Sequence, residues 1–314
     1  MRPHQLSQRI RRFSRASSLQ KLLQSNGIRS AHFWLFPTLF VLLAVYGTIF
    51  WNFVISLTDF QGINLPAYNV AAFDFEMYVQ LFQDPIFWRA LRNTVILMVV
   101  FPGVCLAVGL FLAILVDQNI RFENTFRTIY LLPFSLSFVV TAKFWLWMYD
   151  PNNGVINSTL TSLQLDVLAA NWLDTETRLL AVIVALVWQF SGYTMIIYLA
   201  GLRNIPTSQY EAAKGDGASL PMTYLRIIIP QLRVSTVSAA VVLVVFSLKA
   251  FDFLYAMFRT FPGPTADILA TMMYREAFDS ANWAYGSAIA IVLFVLAVMI
   301  ISPYLYLEYR RGAL

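Results

Sequence analysis

Six long apolar runs constrain this chain more than any other feature of its sequence. They cover residues 31–57, 93–116, 128–149, 179–203, 234–258 and 283–307. About 20 helical residues cross the 30 Å hydrocarbon core of a bilayer, and every run is at least that long. Barrel strands would instead alternate polar and apolar residues over about 10 positions. The sequence therefore predicts an all-α membrane protein with six transmembrane helices.

The composition indicates the same class. Hydrophobic residues make up 59% of the chain and charged residues only 12%, whereas soluble domains carry about 25% charged residues. The single cysteine, Cys105, excludes a disulfide within the chain. With one cysteine and two histidines, no zinc or iron cluster and no other metal site is predicted.

The basic residues predict which way the spans run. Six spans place both termini on one side, and that side holds 15 Lys and Arg residues against five on the other. The positive-inside rule then places the basic tail (1–30), the stretch 204–233 and the C-terminus in the cytoplasm. The loops 58–92, 150–178 and 259–282 are expected to face outwards. Because the net charge of +5 follows from this topology, nucleic-acid binding is not predicted.

The stretch 204–233 combines helix-forming and turn-forming signals. Ser208 and Glu211 have the spacing of a capping box, which predicts a short helix. Gly215 and Gly217 are expected to end that helix in left-handed conformations. A second helix is predicted with Ser219 at its start, Pro221 in its first turn and Pro230 at its end. The result is a predicted helix–turn–helix, here called the knuckle, held outside the bilayer.

No catalytic centre is predicted in this chain. None of its four lysines follows a glycine, so the sequence lacks the Gly-Lys pair of a phosphate-binding loop. The two histidines, His4 and His32, provide no Ser-His-Asp or Cys-His set. If the protein depends on ATP, another chain is expected to hydrolyse it.

The knuckle resembles a motif of a known family. Its residues EAA (211–213), Gly217 and IIIP (227–230) are similar to the EAA loop of permease subunits in binding-protein-dependent ABC importers. That motif usually has Leu where this chain has Ile229. Four more segments resemble permeases of the carbohydrate-uptake branch, which serve maltose, α-glucosides, other sugars and glycerol-phosphate. They are FRTIYLLPFSLSFVVTAKFW (126–145), DPNNGVIN (150–157), GYTMIIYLAGLRNIP (192–206) and LKAFDFLYAM (248–257). The outer loop departs from the family, with FRTFPGP (258–264) where Thr-Gly-Gly-Gly-Pro is common.

The resemblance implies a type I ABC importer permease fold in a prokaryotic inner or plasma membrane. It implies four kinds of partner: a second homologous permease, two ATPase subunits, an external solute-binding protein and the lipid bilayer. No cofactor is expected on this chain, because ATP and Mg²⁺ would bind to the ATPase. In the family the EAA loop docks on that ATPase as a coupling helix. Carried onto this sequence, the contact residues are Glu211, Ala212, Ala213, Gly215, Asp216, Gly217 and Ala218.

Polar and aromatic groups within the spans are candidates for the substrate pathway. Ionisable residues inside a membrane indicate function by default, and Lys249 and Asp252 are expected on one helix face because they are three residues apart. The fourth apolar run is interrupted by aromatic and polar residues, which are Trp188, Gln189, Ser191 and Tyr193. The predicted pathway residues are Gln189, Tyr193, Lys249, Asp252 and Tyr255. For Lys143 and Lys249 a simpler interpretation stays open, since a lysine near the interface can extend its amine into water.

Two other functions stay open at this point. A gradient-driven secondary transporter would use Asp252 as an ion or proton site, but the knuckle gives such a protein no evident use. An ABC permease for another solute, such as an amino acid or phosphate, is compatible with the EAA loop alone. Only the wider resemblance favours sugars.

Overall fold

The computed structural model describes residues 26–63, 73–118 and 121–310, so most of the predicted basic tail, loop residues 64–72 and the last four residues lie outside the described part.

The first span is one helix. The chain divides into two units, residues 1–54 and 55–314, and the first holds most of helix α1 (Asn26–Ser56). Large apolar side chains of α1 are exposed from Leu35 to Phe53. A lipid-facing helix requires such a surface.

The second unit is helical, with no strand in its described part. Its helices are α2 (Glu76–Gln83), α3 (Pro85–Asp117), α4 (Glu123–Leu131), α5 (Phe138–Met148), α6 (Val155–Ser162), α7 (Arg178–Arg203), α8 (Thr207–Gly215), α9 (Leu220–Thr223), α10 (Ile229–Gln231), α11 (Arg233–Leu248), α12 (Phe251–Phe258), α13 (Leu269–Tyr274) and α14 (Trp283–Arg310). Two π-helical turns, Tyr224–Ile228 and Arg275–Asp279, continue α9 and α13.

Within the described residues, four helices, α1, α3, α7 and α14, are long and apolar enough to cross a membrane. Two bent helix pairs raise the number to six if each pair is one span. Helix α3 begins well before the predicted residue 93, because Asp84 caps it and Pro85 occupies its first position. The Asp84 carboxylate accepts a hydrogen bond from the amide of Ile86 at 2.8 Å, which satisfies a free donor of the first turn.

The third span is broken and does not form one continuous helix over 128–149. A bend of 101° separates residues 123–135 from α5. Pro133 starts a short 3-10 turn there, since proline has no amide hydrogen to continue the helix. Ser137 then caps α5 by accepting from the amide of Val140 at 3.3 Å. The backbone groups freed at this break need partners from neighbouring helices.

The fifth span is interrupted as well and does not form one continuous helix over 234–258. Helix α11 ends at Leu248, and α12 begins at Phe251. Lys249 and Ala250 link them with ψ values of 6° and 2°, outside the helical range. At its other end α11 meets α10 at a bend of 68°.

Helix α7 is the centre of this unit. In its most apolar 18-residue window 61% of the residues are buried, compared with 33% for α3 and for α14. Two hydrophobic clusters meet on it, one shared with α3, α5 and α12 and the other with α3 and the knuckle. A third cluster joins α2, α13 and α14. The knuckle therefore lies at the end of α7 that follows Arg203, and the loop 259–266 lies at the other end.

Candidate functional site

The knuckle is a compact turn between two helical segments. Helix α8 is followed by Gly217 at a φ of +74°, in the left-handed region that favours glycine. The amide of Gly217 donates to the carbonyl of Lys214 at 3.1 Å, and that of Ala218 donates to Ala213 at 3.0 Å. This pair of bonds is a Schellman motif, which satisfies the last carbonyls of the helix. Gly215 is an ordinary helical residue, so only one of the two predicted left-handed glycines is left-handed.

The start of α8 also differs from the prediction. Pro206 occupies the N-cap position, and no side chain caps the helix, so the capping box of Ser208 and Glu211 is wrong. The carboxylate of Glu211 is therefore not used as a cap. The second helix does begin after Ser219 with Pro221 in its first turn, as predicted. Pro230, however, lies inside α10, and the chain bends after it.

The predicted coupling residues divide into an exposed and a buried set. Ala213 is only 4% exposed and packs inward, so it can affect docking only through its packing contacts inside the knuckle. Ala218 is half-buried. The exposed set is Glu211, Ala212, Gly215, Asp216 and Gly217. Together they form one exposed surface of small residues with two carboxylates, those of Glu211 and Asp216.

Aromatic and amide contacts hold this surface against the membrane helices. The rings of Tyr210 and Tyr224 meet edge to face at 6.2 Å, and the Tyr224 hydroxyl accepts from Gln118 at the end of α3 at 2.8 Å. Burial, together with the nearby charges of Asp117 and Tyr224, raises the pKa of Tyr210 to about 12. Gln231 donates to Gln209 at 2.6 Å, which ties α10 to α8. A movement of α8 would therefore be transmitted to α10 and, through Tyr224, to α3.

An ion-pair cluster lies beside the knuckle. Glu123, at the start of α4, pairs with Arg203 at the end of α7 and with Arg127 one helical turn further on. All three groups are partly exposed, and exposed pairs contribute only about 0–1 kcal/mol each. The cluster fixes the position of α4 relative to α7 more than it stabilises the fold.

A pocket of about 250 Å³ lies between α5 and α12, and we call it the polar pocket because three of its six lining residues are charged. Its lining residues are Val139, Lys143, Asp252, Tyr255, Ala256 and Arg259. Lys143, Asp252 and Arg259 are exposed, and none of them takes part in the ion pairs found among the described residues. Three charges outside any ion pair around one concavity can bind a solute rich in hydroxyl groups.

Arg259 has an unusual backbone at this pocket. Its φ is +61° and its ψ −141°, and it ends helix α12. A non-glycine residue in such a conformation costs about 1–3 kcal/mol and tends to occur at functional sites. The guanidinium lies 6.0 Å from the centre of the Tyr255 ring. The conformation therefore places a cation over the aromatic wall of the pocket.

The pocket includes two predicted pathway residues, Asp252 and Tyr255, and omits Lys249. The expectation that Lys249 and Asp252 share a helix face is wrong, because the helix is interrupted between them. Lys143 and Arg259 take part instead. The sequence indicates that Arg259 lies near Tyr255, since the two residues are four positions apart at the end of a predicted helix. The sequence does not indicate the break that orients α12.

Gln189 and Tyr193 are residues of α7 that contact the break in the third span. Neither of them lines the polar pocket. The amide of Gln189 donates to the carbonyl of Leu136 at 2.8 Å, and its side chain is buried. Tyr193 stacks on Phe134 with ring centres 5.0 Å apart. Gln189 thus supplies a donor that the broken backbone needs.

A larger cavity of about 750 Å³ lies along the same break. Trp188 and Ser191 line it together with Trp145, whose buried indole nitrogen has no hydrogen-bond partner among the described residues. Its lining residues include no charged side chain, whereas Lys143, Asp252 and Arg259 line the polar pocket. The polar pocket is therefore the better candidate for solute contact.

Two arginines hold the divergent outer loop at the end of α7 opposite to the knuckle. Arg178 donates to the carbonyl of Pro262 at 3.0 Å, and Arg275 donates to that of Thr260 at 3.1 Å. Arg275 also pairs with the buried Asp267 at 2.8 Å. Burial lowers the pKa of Arg275, but the hydrogen bond and charge of Asp267 outweigh it, and the net shift is upward. Sequence reasoning assigned no role to these residues.

Comparison with known proteins agrees with this architecture. Residues 105–310 match the family described as "Binding-protein-dependent transport system inner membrane component". The xylose/arabinose import permease protein XacH of Haloferax volcanii is 50% identical over 300 residues, which are 95% of this chain and 93% of that protein. The diacetylchitobiose uptake system permease protein NgcF of Streptomyces coelicolor is 32% identical over 81% of this chain and 74% of its own length.

A solved structure shares the fold. It is the crystal structure of a bacterial alginate ABC transporter in complex with an alginate pentasaccharide-bound periplasmic protein. The matching chain has a TM-score of 0.72 and 24% identity, with 89% of this chain and 93% of that chain covered. Together with the extent of the sequence matches, this shows that the chain belongs to the family of binding-protein-dependent transport system inner membrane components.

Proposed function

We propose that this chain is a permease subunit of an ATP-driven importer for a sugar or sugar-like solute. The single observation that carries the proposal is the knuckle. Its exposed surface, Glu211 to Gly217, is held by Tyr210 and Tyr224 on the ends of the membrane helices. A surface of this kind suits a lever between the spans and a separate ATPase.

The finer assembly is inferred from the resemblance to the family. The chain crosses the inner or plasma membrane six times, with α4 and α5 in the third span and α11 and α12 in the fifth, and both termini lie in the cytoplasm. It pairs with a homologous permease, two ATPase subunits and an external solute-binding protein. ATP and Mg²⁺ bind to the ATPase, and this chain performs no hydrolysis. Glu211, Ala212, Gly215, Asp216 and Gly217 form the docking surface, with Ala213 and Ala218 packing beneath and beside it.

The proposed mechanism is alternating access. Closure of the ATPases moves α8, and its contacts with α3 and α10 transmit the movement to the spans. The polar pocket then forms part of the passage wall, with Asp252 and Tyr255 among its solute-contacting groups. Relatives named for xylose/arabinose, diacetylchitobiose and lactose support a carbohydrate as the solute.

Reconstitution tests the proposal. The chain is expressed with the proteins encoded beside it, placed in proteoliposomes and supplied with its solute-binding protein. We expect ATP hydrolysis to rise when one sugar of a panel of xylose, arabinose, lactose and diacetylchitobiose is added. No stimulation by any carbohydrate or polyol would reject the solute class. Uptake driven by an ion gradient without ATP would reject the importer and favour a secondary transporter.

A further inference from the structure

Six aromatic side chains form a continuous row that begins at the polar pocket. The row, here called the aromatic row, consists of Phe251, Tyr255, Tyr274, Phe278, Trp283 and Phe60. Successive ring centres are 5.0 Å apart for Phe251 and Tyr274, 5.3 Å for Tyr255 and Tyr274, 4.9 Å for Tyr274 and Phe278, 5.3 Å for Phe278 and Trp283, and 6.1 Å for Trp283 and Phe60. All these distances lie within the range of direct ring contact.

The row leads from the pocket towards the end of the spans opposite to the knuckle. Tyr255 lines the polar pocket, whereas Trp283 begins α14. The far end is fixed by backbone contacts, because the Trp283 indole donates to Gly62 at 3.1 Å and the amide of Ala284 donates to Phe60 at 3.0 Å. The row is therefore a fixed surface.

A π-helical turn shapes the centre of the row. Residues Arg275–Asp279 follow Tyr274 in this wider turn, and Phe278 stacks on Tyr274 across it. π-helical turns are rare in proteins, and those that do occur are often found at functional sites. None of the six side chains is fully buried, and Phe278 is 56% exposed. A row that served only as core packing would be buried.

The surroundings of the row indicate an occupant with both apolar and polar faces. The exposed charges of Asp252, Arg259 and Asp279 lie within a few residues of its rings. A lipid chain would gain nothing from these charges, whereas a sugar presents C–H groups on one face and hydroxyl groups at its edge. The negative face of an aromatic ring attracts such C–H groups, as it attracts the positive edge of another ring.

We propose that the aromatic row is a surface along which a sugar moves to the polar pocket from the end of the spans opposite to the knuckle. This inference rests on the proposed import of a carbohydrate. A solute would pass from ring to ring with its C–H face against the row and would reach Asp252, Lys143 and Arg259 at the pocket. The ligand class is a pyranose or furanose sugar with an uninterrupted C–H face.

Uptake kinetics of the assembled transporter test this proposal. The probe is whichever of xylose, arabinose, lactose and diacetylchitobiose the wild-type proteoliposomes take up fastest. Phe278→Leu keeps an apolar side chain but removes the ring, and we expect it to raise the KM for uptake about fivefold. Tyr274→Leu is expected to act in the same direction. Phe278→Tyr keeps the ring and is expected to retain the wild-type KM.

Phe75 provides the matched control, because it is 65% exposed, contacts Tyr78 and lies outside the row. Phe75→Leu should leave the KM unchanged. A wild-type KM in both Phe278→Leu and Tyr274→Leu would overturn the proposal. The proposal would also be overturned if these two variants raised the concentration of binding protein needed for half-maximal ATP hydrolysis by the same factor as the KM, since the row would then be a docking surface. Failure of the importer function itself would appear differently, as absent sugar uptake by the wild type.

Discussion

Gly192 marks the closest approach between α7 and the broken third span. A Cβ atom at this position would lie 1.8 Å from the carbonyl oxygen of Tyr130. We expect Gly192→Ala to destabilise the protein by about 1–3 kcal/mol, because backbone rather than a flexible side chain must move. Gly103→Ala is the control, since nothing lies within 4 Å of its added methyl group. Thermal unfolding in detergent measures both, and equal midpoints would contradict this packing.

Gln189 shows what sequence reasoning misses at the scale of a residue. A polar side chain in the middle of a span indicates a pathway, and on that ground it was a reasonable candidate. In the structure it donates to Leu136, whose carbonyl has lost its helical partner at the break. Nothing near position 189 encodes a break that lies more than 50 residues earlier. Asp252 and Tyr255 do line one pocket, because both lie on the short helix α12, and their role in the pathway stays a prediction.

The knuckle is the element through which we propose coupling to the ATPase, and its turn can be tested at Gly217. At Gly217, where φ is +74°, an alanine costs roughly 1–2 kcal/mol in the left-handed conformation. A proline there would also remove the amide that donates to Lys214. We expect Gly217→Ala to lower sugar uptake per ATP hydrolysed, and Gly217→Pro to abolish coupled uptake while the chain still inserts.

Gly103→Ala is the control for this prediction. Gly103 lies in α3 outside the knuckle, is helical and has nothing within 4 Å of an added Cβ. Alanine favours helices by about 1 kcal/mol over glycine, so this variant should couple as well as the wild type. Unimpaired uptake by Gly217→Pro, or equal loss in Gly103→Ala, would reject the lever role of the turn.

At the scale of elements, apolar length predicts where helices lie but does not predict where they break. The runs at 93–116, 179–203 and 283–307 each fall within one helix, α3, α7 and α14. The runs at 128–149 and 234–258 are equally apolar yet divide into two helices each. The breaks depend on partners elsewhere, such as Gln189 for Leu136, which compensate for lost helical hydrogen bonds. Pro133 was a signal for one break, whereas Lys249 and Ala250 offered none for the other.

The molecule as a whole places its two candidate sites at different levels of one helical unit. The knuckle follows the end of α7 at Arg203, whereas the polar pocket lies near the end of α12 at Phe258. Helices α11 and α12 lead from one to the other through the break at Lys249 and Ala250. The proposed alternating access needs such a connection, because movement at a partner ATPase would have to change a pocket inside the membrane.

This arrangement requires the knuckle and the outer loops to lie on opposite sides of the membrane. Two exposed serines report on the two sides: Ser208 in α8 and Ser162 at the end of α6. The only native cysteine, Cys105, is buried beside Thr194 and is replaced by serine to remove the background. A membrane-impermeant maleimide is then applied to intact cells that carry Ser162→Cys or Ser208→Cys in the Cys105→Ser chain. We expect the thiol introduced at position 162 to react at once and the thiol at position 208 to react only after permeabilisation, because the positive-inside rule predicts that the knuckle lies in the cytoplasm. The Cys105→Ser chain alone should stay unlabelled, and the reverse labelling pattern would place the docking surface where no ATPase can reach it.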